Sequence, residues 1–465
     1  MQNKDPITCY FSLHGINYKN GFVTSCPQQP EQFVQMKQTI KPSEIFNSKG
    51  FREHRLEMMN GTWSRGCHLC KEPESIGSSS MRQDYKPDLS LYIGDEIEYI
   101  DYEKRYSLPG ESWRRGLKHV ELRFSNSCNM ACRHCSTVYS SGWVSKLKHY
   151  TPDDEVKFHD LKQLLRTEHR ESKDDTGELE ITLDQVKEIV TDLCEYAIGL
   201  EKVEFAGGEV LNQKQFFYFL KLLADHPRAK ELIIGFHTNF NASFDPKELH
   251  ELLSPFARAI IHISVDAGKN IYPYFRTGNW EKLKSNISKF REYNSSADLV
   301  AVITTSAYQV MDLQNIFTSL LDLDVLSIDA SMVYSPIYLN PALLTFKFRD
   351  SIIKDIHETR ILIAKEDIRR KENKEFGRKS WYENTFFADI SRAQKALTEI
   401  ENYILKTNLE NYSSNLGYSN LTHEIIYNRF ITYIRKTDEI WQQNFNDYMV
   451  NYKFINGQIE RVTNV

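Results

Sequence analysis

The sequence predicts an α/β protein: a parallel sheet with crossover helices through its middle third, a cysteine-rich segment in front, and a helical region behind. Three observations lead there. From about residue 118, strand-like runs alternate with amphipathic segments, the rhythm of strand–helix–strand units. Seven of the eight cysteines fall before residue 136. Beyond residue 341 the apolar residues recur at helical spacing and no metal-ligand pattern appears.

The chain of 465 residues is long enough for two or three domains and a large core. Its 41% hydrophobic and 26% charged residues are ordinary for a soluble globular protein. A net charge of −5 argues against a nucleic-acid surface spread over the whole molecule, though not against a local basic patch. The start, MQNKDPITCYF, lacks the basic and apolar regions of an export signal, and no apolar run is long enough to span a membrane. The expectation is a soluble cytoplasmic protein whose cysteines are metal ligands rather than disulfide partners.

Residues 1–117 hold two cysteine pairs. Cys9 and Cys26 bracket Gly21 in a Cys-x11-Gly-x4-Cys spacing, in which the glycine permits a turn between two short strands. Cys67 and Cys70 form a Cys-x2-Cys knuckle that can aim both sulfurs at one metal. Together they supply four thiolates, enough to close a coordination sphere, whether of an iron–sulfur cluster or of a zinc ion.

Residues 118–340 carry the alternating pattern. The strands are HVELRFS, KVEFAGG, ELIIGFHT, AIIHISVD, DLVAVITT and VLSIDASMV, with helices such as NQKQFFYFLKLLADH and NWEKLKSNISKFREY between them. Residues 151–182, which include EHRESKDD, read as a charged surface insertion. Directly after the first strand, SNSCNMACRHCS places Cys128, Cys132 and Cys135 in a Cys-x3-Cys-x2-Cys spacing. Three thiolates on one loop can hold three corners of a [4Fe–4S] cluster and leave one iron open. A structural zinc completed by His134 or His149 is the alternative. Cys194, in ITLDQVKEIVTDLCEYAIG, reads as a buried structural thiol.

In parallel α/β folds ligands meet the carboxyl ends of strands, which directs attention to the residues there. The second strand ends in Gly207, Gly208 and Glu209, two glycines that admit a ligand closely and an acceptor for an ammonium group. The third ends in His237, Thr238 and Asn239. In the fourth, Ser264 and Asp266 are two apart and so share a strand face. Arg276, in YFRTGNW, is a natural bidentate partner for a carboxylate. Taken one at a time, these residues read equally as a tight turn, a cap and a surface ion pair.

Together the cysteine loop, Gly-Gly-Glu, Ser-x-Asp and the arginine resemble the radical S-adenosylmethionine (SAM) enzymes. The resemblance implies an open (β/α)6 barrel and a [4Fe–4S] cluster on Cys128, Cys132 and Cys135, its open iron chelating SAM. It also implies SAM contacts from Gly207, Gly208, Glu209, Asn239, Ser264, Asp266 and Arg276, and an electron donor such as flavodoxin or ferredoxin. Val210 stands where the family usually has proline after Gly-Gly-Glu. The hairpin of Cys9 and Cys26, with Cys67 and Cys70, resembles the SPASM and twitch domains, here in front of the core instead of behind it. That resemblance implies a second, auxiliary cluster of the [4Fe–4S] type on Cys9, Cys26, Cys67 and Cys70. By analogy the substrate is a peptide or protein; a carbohydrate, nucleotide or RNA is the enzymatic rival, and a zinc-stapled binding protein the rival without chemistry.

Residues 341–465 contain amphipathic runs such as SRAQKALTEIENYILKTNLE, read as a helical cap or partner surface. The basic cluster 369–379 reads as a solvated face.

Overall fold

A computed structural model of the chain describes residues 7, 9–19, 21–28, 33–75, 80–84, 116–148, 180–293, 297–325, 327–334, 336–373, 391–410 and 421–462. Most of the charged insertion, His149 and the far end of the basic cluster lie outside them.

A nine-stranded sheet organises the molecule, in the order β3-β2-β1-β4-β5-β6-β7-β8-β9. The N-terminal strands are β1 (Gly15–Lys19), β2 (Phe22–Thr24) and β3 (Val34–Gln35). The middle third supplies β4 (His119–Leu122), β5 (Lys202–Phe205), β6 (Ile233–Thr238), β7 (Arg258–Ser264), β8 (Asp298–Thr305) and β9 (Ser327–Met332). These last six are mutually parallel, as the sequence predicts, and the sheet stays open. Gly21, at φ 80°, turns β1 into β2. The sequence does not reveal that β1 then pairs in parallel with β4, so that the cysteine hairpin extends the barrel sheet.

Among the helices are α1 (Tyr10–His14), α2 (Lys49–Met59), α3 (His68–Ser75), α4 (Ser141–Lys148), α5 (Leu183–Tyr196), α6 (Lys214–Leu223), α7 (Pro246–Leu253), α8 (Trp280–Tyr293) and α9 (Leu313–Asp322). α5 starts on a capping box of Thr182 and Gln185, which satisfies its first free N–H groups. In α6, Phe216, Phe219, Leu220 and Leu223 make one buried stripe at helical spacing. Phe216 and Phe219 pack edge-on against Phe205 of β5, which therefore faces the helical layer. Its neighbours Lys202 and Glu204 face the opposite way, into the barrel lumen.

Behind the barrel lie α10 (Thr345–Glu372), α11 (Ser391–Lys406) and α12 (His423–Trp441), which match the helical expectation. A hairpin of β10 (Tyr452–Ile455) and β11 (Gln458–Arg461) departs from it. Its turn is Asn456-Gly457, both at positive φ, and this dipeptide between alternating residues was the available signal. Arg369, Arg370 and Lys371 pair with Glu366, Asp324 and Asp367, a solvated face. Cys194 is half-buried on α5, less enclosed than expected. Among the described residues no helix is long and apolar enough to cross a membrane.

Candidate active site

The parallel register decides where the site forms. Phe205 lies opposite Phe236, and Thr238 opposite Ile263. Gly207–Glu209, Asn239 and Ser264 therefore reach one end of the sheet, and the cysteine loop follows β4 to the same end.

The cysteine loop is fixed from several sides. The Trp143 indole N–H donates to the Cys132 carbonyl at 2.9 Å, and Ser140 Oγ to the Met130 carbonyl at 2.5 Å. The Ala131 N–H donates to Thr277 Oγ1 and the Arg133 N–H to the Phe275 carbonyl, each at 2.9 Å. Burial pushes the thiols of Cys128, Cys132 and Cys135 up, that of Cys135 to about 12; neighbouring cysteines add to the effect at Cys132 and Cys135, and Glu209 at Cys128. A metal bound by these thiols would have to displace their protons.

The glycine pair presses against this loop. Gly207 and Gly208 have φ of 81° and 55°, and a Cβ on Gly208 would lie 2.3 Å from the Ser127 carbonyl oxygen. The Glu209 N–H donates to that same carbonyl at 2.8 Å. The Glu209 carboxylate is fully buried: Oε1 accepts from Thr238 Oγ1 (2.6 Å) and the Leu211 N–H (3.1 Å), Oε2 from the Asn239 N–H (2.6 Å). The expected ammonium acceptor thus ties the ends of β5 and β6 together. Asn239 Nδ2 donates to Asn129 Oδ1 at 2.9 Å and lies 3.9 Å from the Cys128 sulfur.

Ser264 remains part-exposed on the lumen side, while Asp266, past the strand end at φ 50°, is buried. The left-handed backbone breaks the strand alternation that would put the two side chains on one face. Asp266 Oδ1 accepts from the Thr304 N–H at 2.6 Å, and Oδ2 pairs with Arg276 Nη1 at 2.5 Å. Arg276 in turn sits in the field of Cys132 and Cys128, with its backbone carbonyl 3.5 Å from the Cys132 sulfur. Arg276 Nε and Gln213 Oε1 are buried and without a hydrogen-bond partner. His134 Nε2 lies 3.6 Å from Asp266 and its ring stacks on Phe275; burial lowers its pKa to about 4.

Residues 122–307 match the profile of a family described as the Radical SAM superfamily. The chain carries a radical SAM domain. It is the domain of an enzyme superfamily, and its limits enclose the cysteine loop, Gly-Gly-Glu, Ser264, Asp266 and Arg276. Among solved structures, native anSMEcpe with bound AdoMet is 16% identical, at a TM-score of 0.32, over 46% of this chain and 50% of that one. SuiB of Streptococcus suis bound to precursor peptide SuiA is 12% identical, at 0.29, over 68% and 63%. The chain thus spans about half the length of the first of these structures. No curated protein matches in sequence.

A second group of cysteines meets beyond the radical SAM domain. Cys9, Cys26, Cys67 and Cys70 line one partly open cavity between α1, β2 and the start of α3. Burial pushes up the Cys9, Cys26 and Cys70 thiols, the last to about 11, and Cys9 and Cys70 add their charge to Cys26. Arg82, which also lines the cavity, is paired with Glu74 at 2.5 Å and brings positive charge toward Cys9 and Cys70.

Sequence reasoning missed Arg133. Its side chain, 0% exposed, donates from Nε to the Tyr274 carbonyl, pairs through Nη2 with Asp438 at 2.8 Å, and meets Thr437 and Gln443. The Tyr433 hydroxyl donates to the Arg133 carbonyl, and Trp441 stands edge-on to Trp143. Helix α12 is therefore bolted to the cysteine loop from outside the radical SAM domain. A lone arginine between two cysteines carries no sequence signal for a partner 305 residues away.

Proposed function

We propose that the protein is a radical SAM enzyme that modifies a peptide or protein, with a second iron–sulfur cluster in its N-terminal cysteine cavity. The observation that carries this reading is the convergence of three thiols, the Gly207–Glu209 turn and the Arg276–Asp266 pair at one end of a parallel sheet. The donor set fits the implied groups. Three thiols on one loop match a cluster with an open iron. Buried, unpartnered Arg276 Nε and Gln213 Oε1 beside them are poised for a polar ligand such as SAM. Among the described residues, the groups whose ligand atoms all lie within 4.8 Å of one another contain no cysteine. Thiols around one zinc would stand only about 3.8 Å apart, given Zn–S bonds of about 2.3 Å; a wider spacing suits a polynuclear cluster.

With a [4Fe–4S] cluster and SAM in place, the chemistry supplied is one-electron reductive cleavage of the sulfonium, giving methionine and a 5′-deoxyadenosyl radical that abstracts hydrogen. The chain's own residues position and shield. Cys128, Cys132 and Cys135 would hold three of the cluster's irons. Gly207 and Gly208 let backbone approach the ligand where a side chain would collide with the loop. Arg276 offers a guanidinium already charged and held by Asp266, suited to a carboxylate. Trp143, Phe275 and α12 close the loop against water. In the N-terminal cavity, Cys9, Cys26, Cys67 and Cys70 would hold a cluster with no position left for substrate, suited to passing electrons or holding the segment together. The peptide assignment follows from the resemblance of this cysteine segment to SPASM and twitch domains.

Anaerobic protein incubated with dithionite and SAM should form 5′-deoxyadenosine, and Cys132→Ala should not. With a deuterated cell extract separated by size, deuterium should enter 5′-deoxyadenosine from the macromolecular and peptide fractions. Deuterium arriving only from small metabolites would overturn the peptide assignment while leaving the radical chemistry standing.

A further inference from the structure

The barrel lumen, one residue layer below the strand ends, holds a group of side chains that the proposed SAM chemistry does not use. Glu204 of β5 is buried, and two imidazoles converge on its Oε1: His237 Nε2 and His262 Nε2, each at 3.5 Å. The two rings lie nearly parallel, 4.5 Å between centroids. His262 is 9% exposed and neither of its ring nitrogens has a hydrogen-bond partner. A buried imidazole with both nitrogens unsatisfied is costly unless something else fills the site.

The separations say what that is. At 3.5 Å the contacts are longer than the usual 2.7–3.2 Å hydrogen bond. They match the edge of a tetrahedron whose corners each lie about 2.1 Å from a shared ion, roughly 3.4 Å. The other carboxylate oxygen is already engaged: Lys202 Nζ lies 2.9 Å and His119 Nε2 3.3 Å from Oε2. A ligating carboxylate usually has its second oxygen held in this way by outer partners. Burial works against the charge on Glu204, but Lys202 and the neighbouring imidazoles keep its pKa well below the ordinary carboxylate range. Burial likewise holds His262 neutral, the form that binds metal. His237, with its side chain 39% exposed, leaves a way in from the lumen.

We propose that Glu204 Oε1, His237 Nε2 and His262 Nε2 form a site for one divalent first-row transition ion, with its open positions toward the lumen. Two imidazoles and one carboxylate suit such ions and leave room for further ligands. Those positions would take an oxygen ligand, a carboxylate, carbonyl or hydroxyl, from a molecule entering the barrel. The inference goes beyond the proposed function and needs neither SAM nor turnover; iron and sulfide in the test serve only to block the cysteines as competing ligands.

The test titrates Mn²⁺, which disfavours thiolate, into protein whose cysteine sites have first been filled with iron and sulfide. Loss of the free-Mn²⁺ electron paramagnetic resonance signal reports binding. One ion per chain is expected for the wild type, with affinity at least tenfold weaker in both Glu204→Gln and His237→Ala. His237→Ala alters a part-exposed lumen position and leaves the buried Glu204–Lys202 pair intact, so its folding is checked by circular dichroism and retained iron. No stoichiometric binding by the wild type, or equal binding by a folded His237→Ala protein, would overturn the site.

Discussion

At the scale of single residues, the grouping of Cys128, Cys132 and Cys135 was legible because cysteines so close in sequence share one loop. Gly207 and Gly208 were legible for a related reason: only glycine accepts their φ at so close an approach. Gly208→Ala meets both penalties, the left-handed backbone alone costing about 1–2 kcal/mol. It should lower the unfolding midpoint and reduce 5′-deoxyadenosine formation more than tenfold; unimpaired cleavage would show that the turn need not touch the cysteine loop. Asp312 was not legible. It is buried near the start of α9 with only long contacts, 3.2–3.4 Å to Asn315 Nδ2 and 3.3 Å from the Gly268 N–H, and burial pushes its pKa up to about 7. The folded state holds that proton at pH values where the unfolded chain, near 3.9, has released it. Its contribution to stability is therefore complete below about pH 4 and is lost as the pH rises through 7. Asp312→Asn should stabilise the protein at pH 8, by roughly 1.4 kcal/mol per pKa unit of the shift, and have little effect at pH 4. Equal effects at both values in urea unfolding would contradict this.

At the scale of elements, the six parallel strands and their helices followed from alternating hydrophobic periodicity, and they form as expected. The lumen group escaped because its signal was read as strand and no further. His119, Glu121, Lys202, Glu204 and His262 sit at alternate positions of strands buried on both faces, where unbroken apolar runs are the rule. Polar residues at that period mark a lumen that holds something other than oil. The docking of α12 escaped for a different reason, since a contact between Arg133 and Asp438 leaves no local pattern. Asp438→Asn leaves a buried guanidinium without its counter-charge, a change that costs up to roughly 3–5 kcal/mol. The variant should unfold at lower denaturant and release iron faster from the Cys128 loop on dilution. Iron retention equal to wild type in a destabilised variant would separate α12 from the cysteine loop.

At the scale of the whole molecule, one continuous sheet links the two cysteine groups through Cys9 and Cys26. β1 pairs with β4, so the segment of Cys9 and Cys26 and the loop of Cys128 are joined through hydrogen-bonded strands. The grouping of the N-terminal four was legible by count, since four and three leave only Cys194; their convergence on one cavity needed the fold. Anaerobic reconstitution followed by iron and sulfide analysis tests the account most directly. It predicts about eight of each per chain, from two four-iron clusters, falling to about half in Cys67→Ala/Cys70→Ala. Colourless protein that takes up zinc, and holds no iron or sulfide, would contradict it.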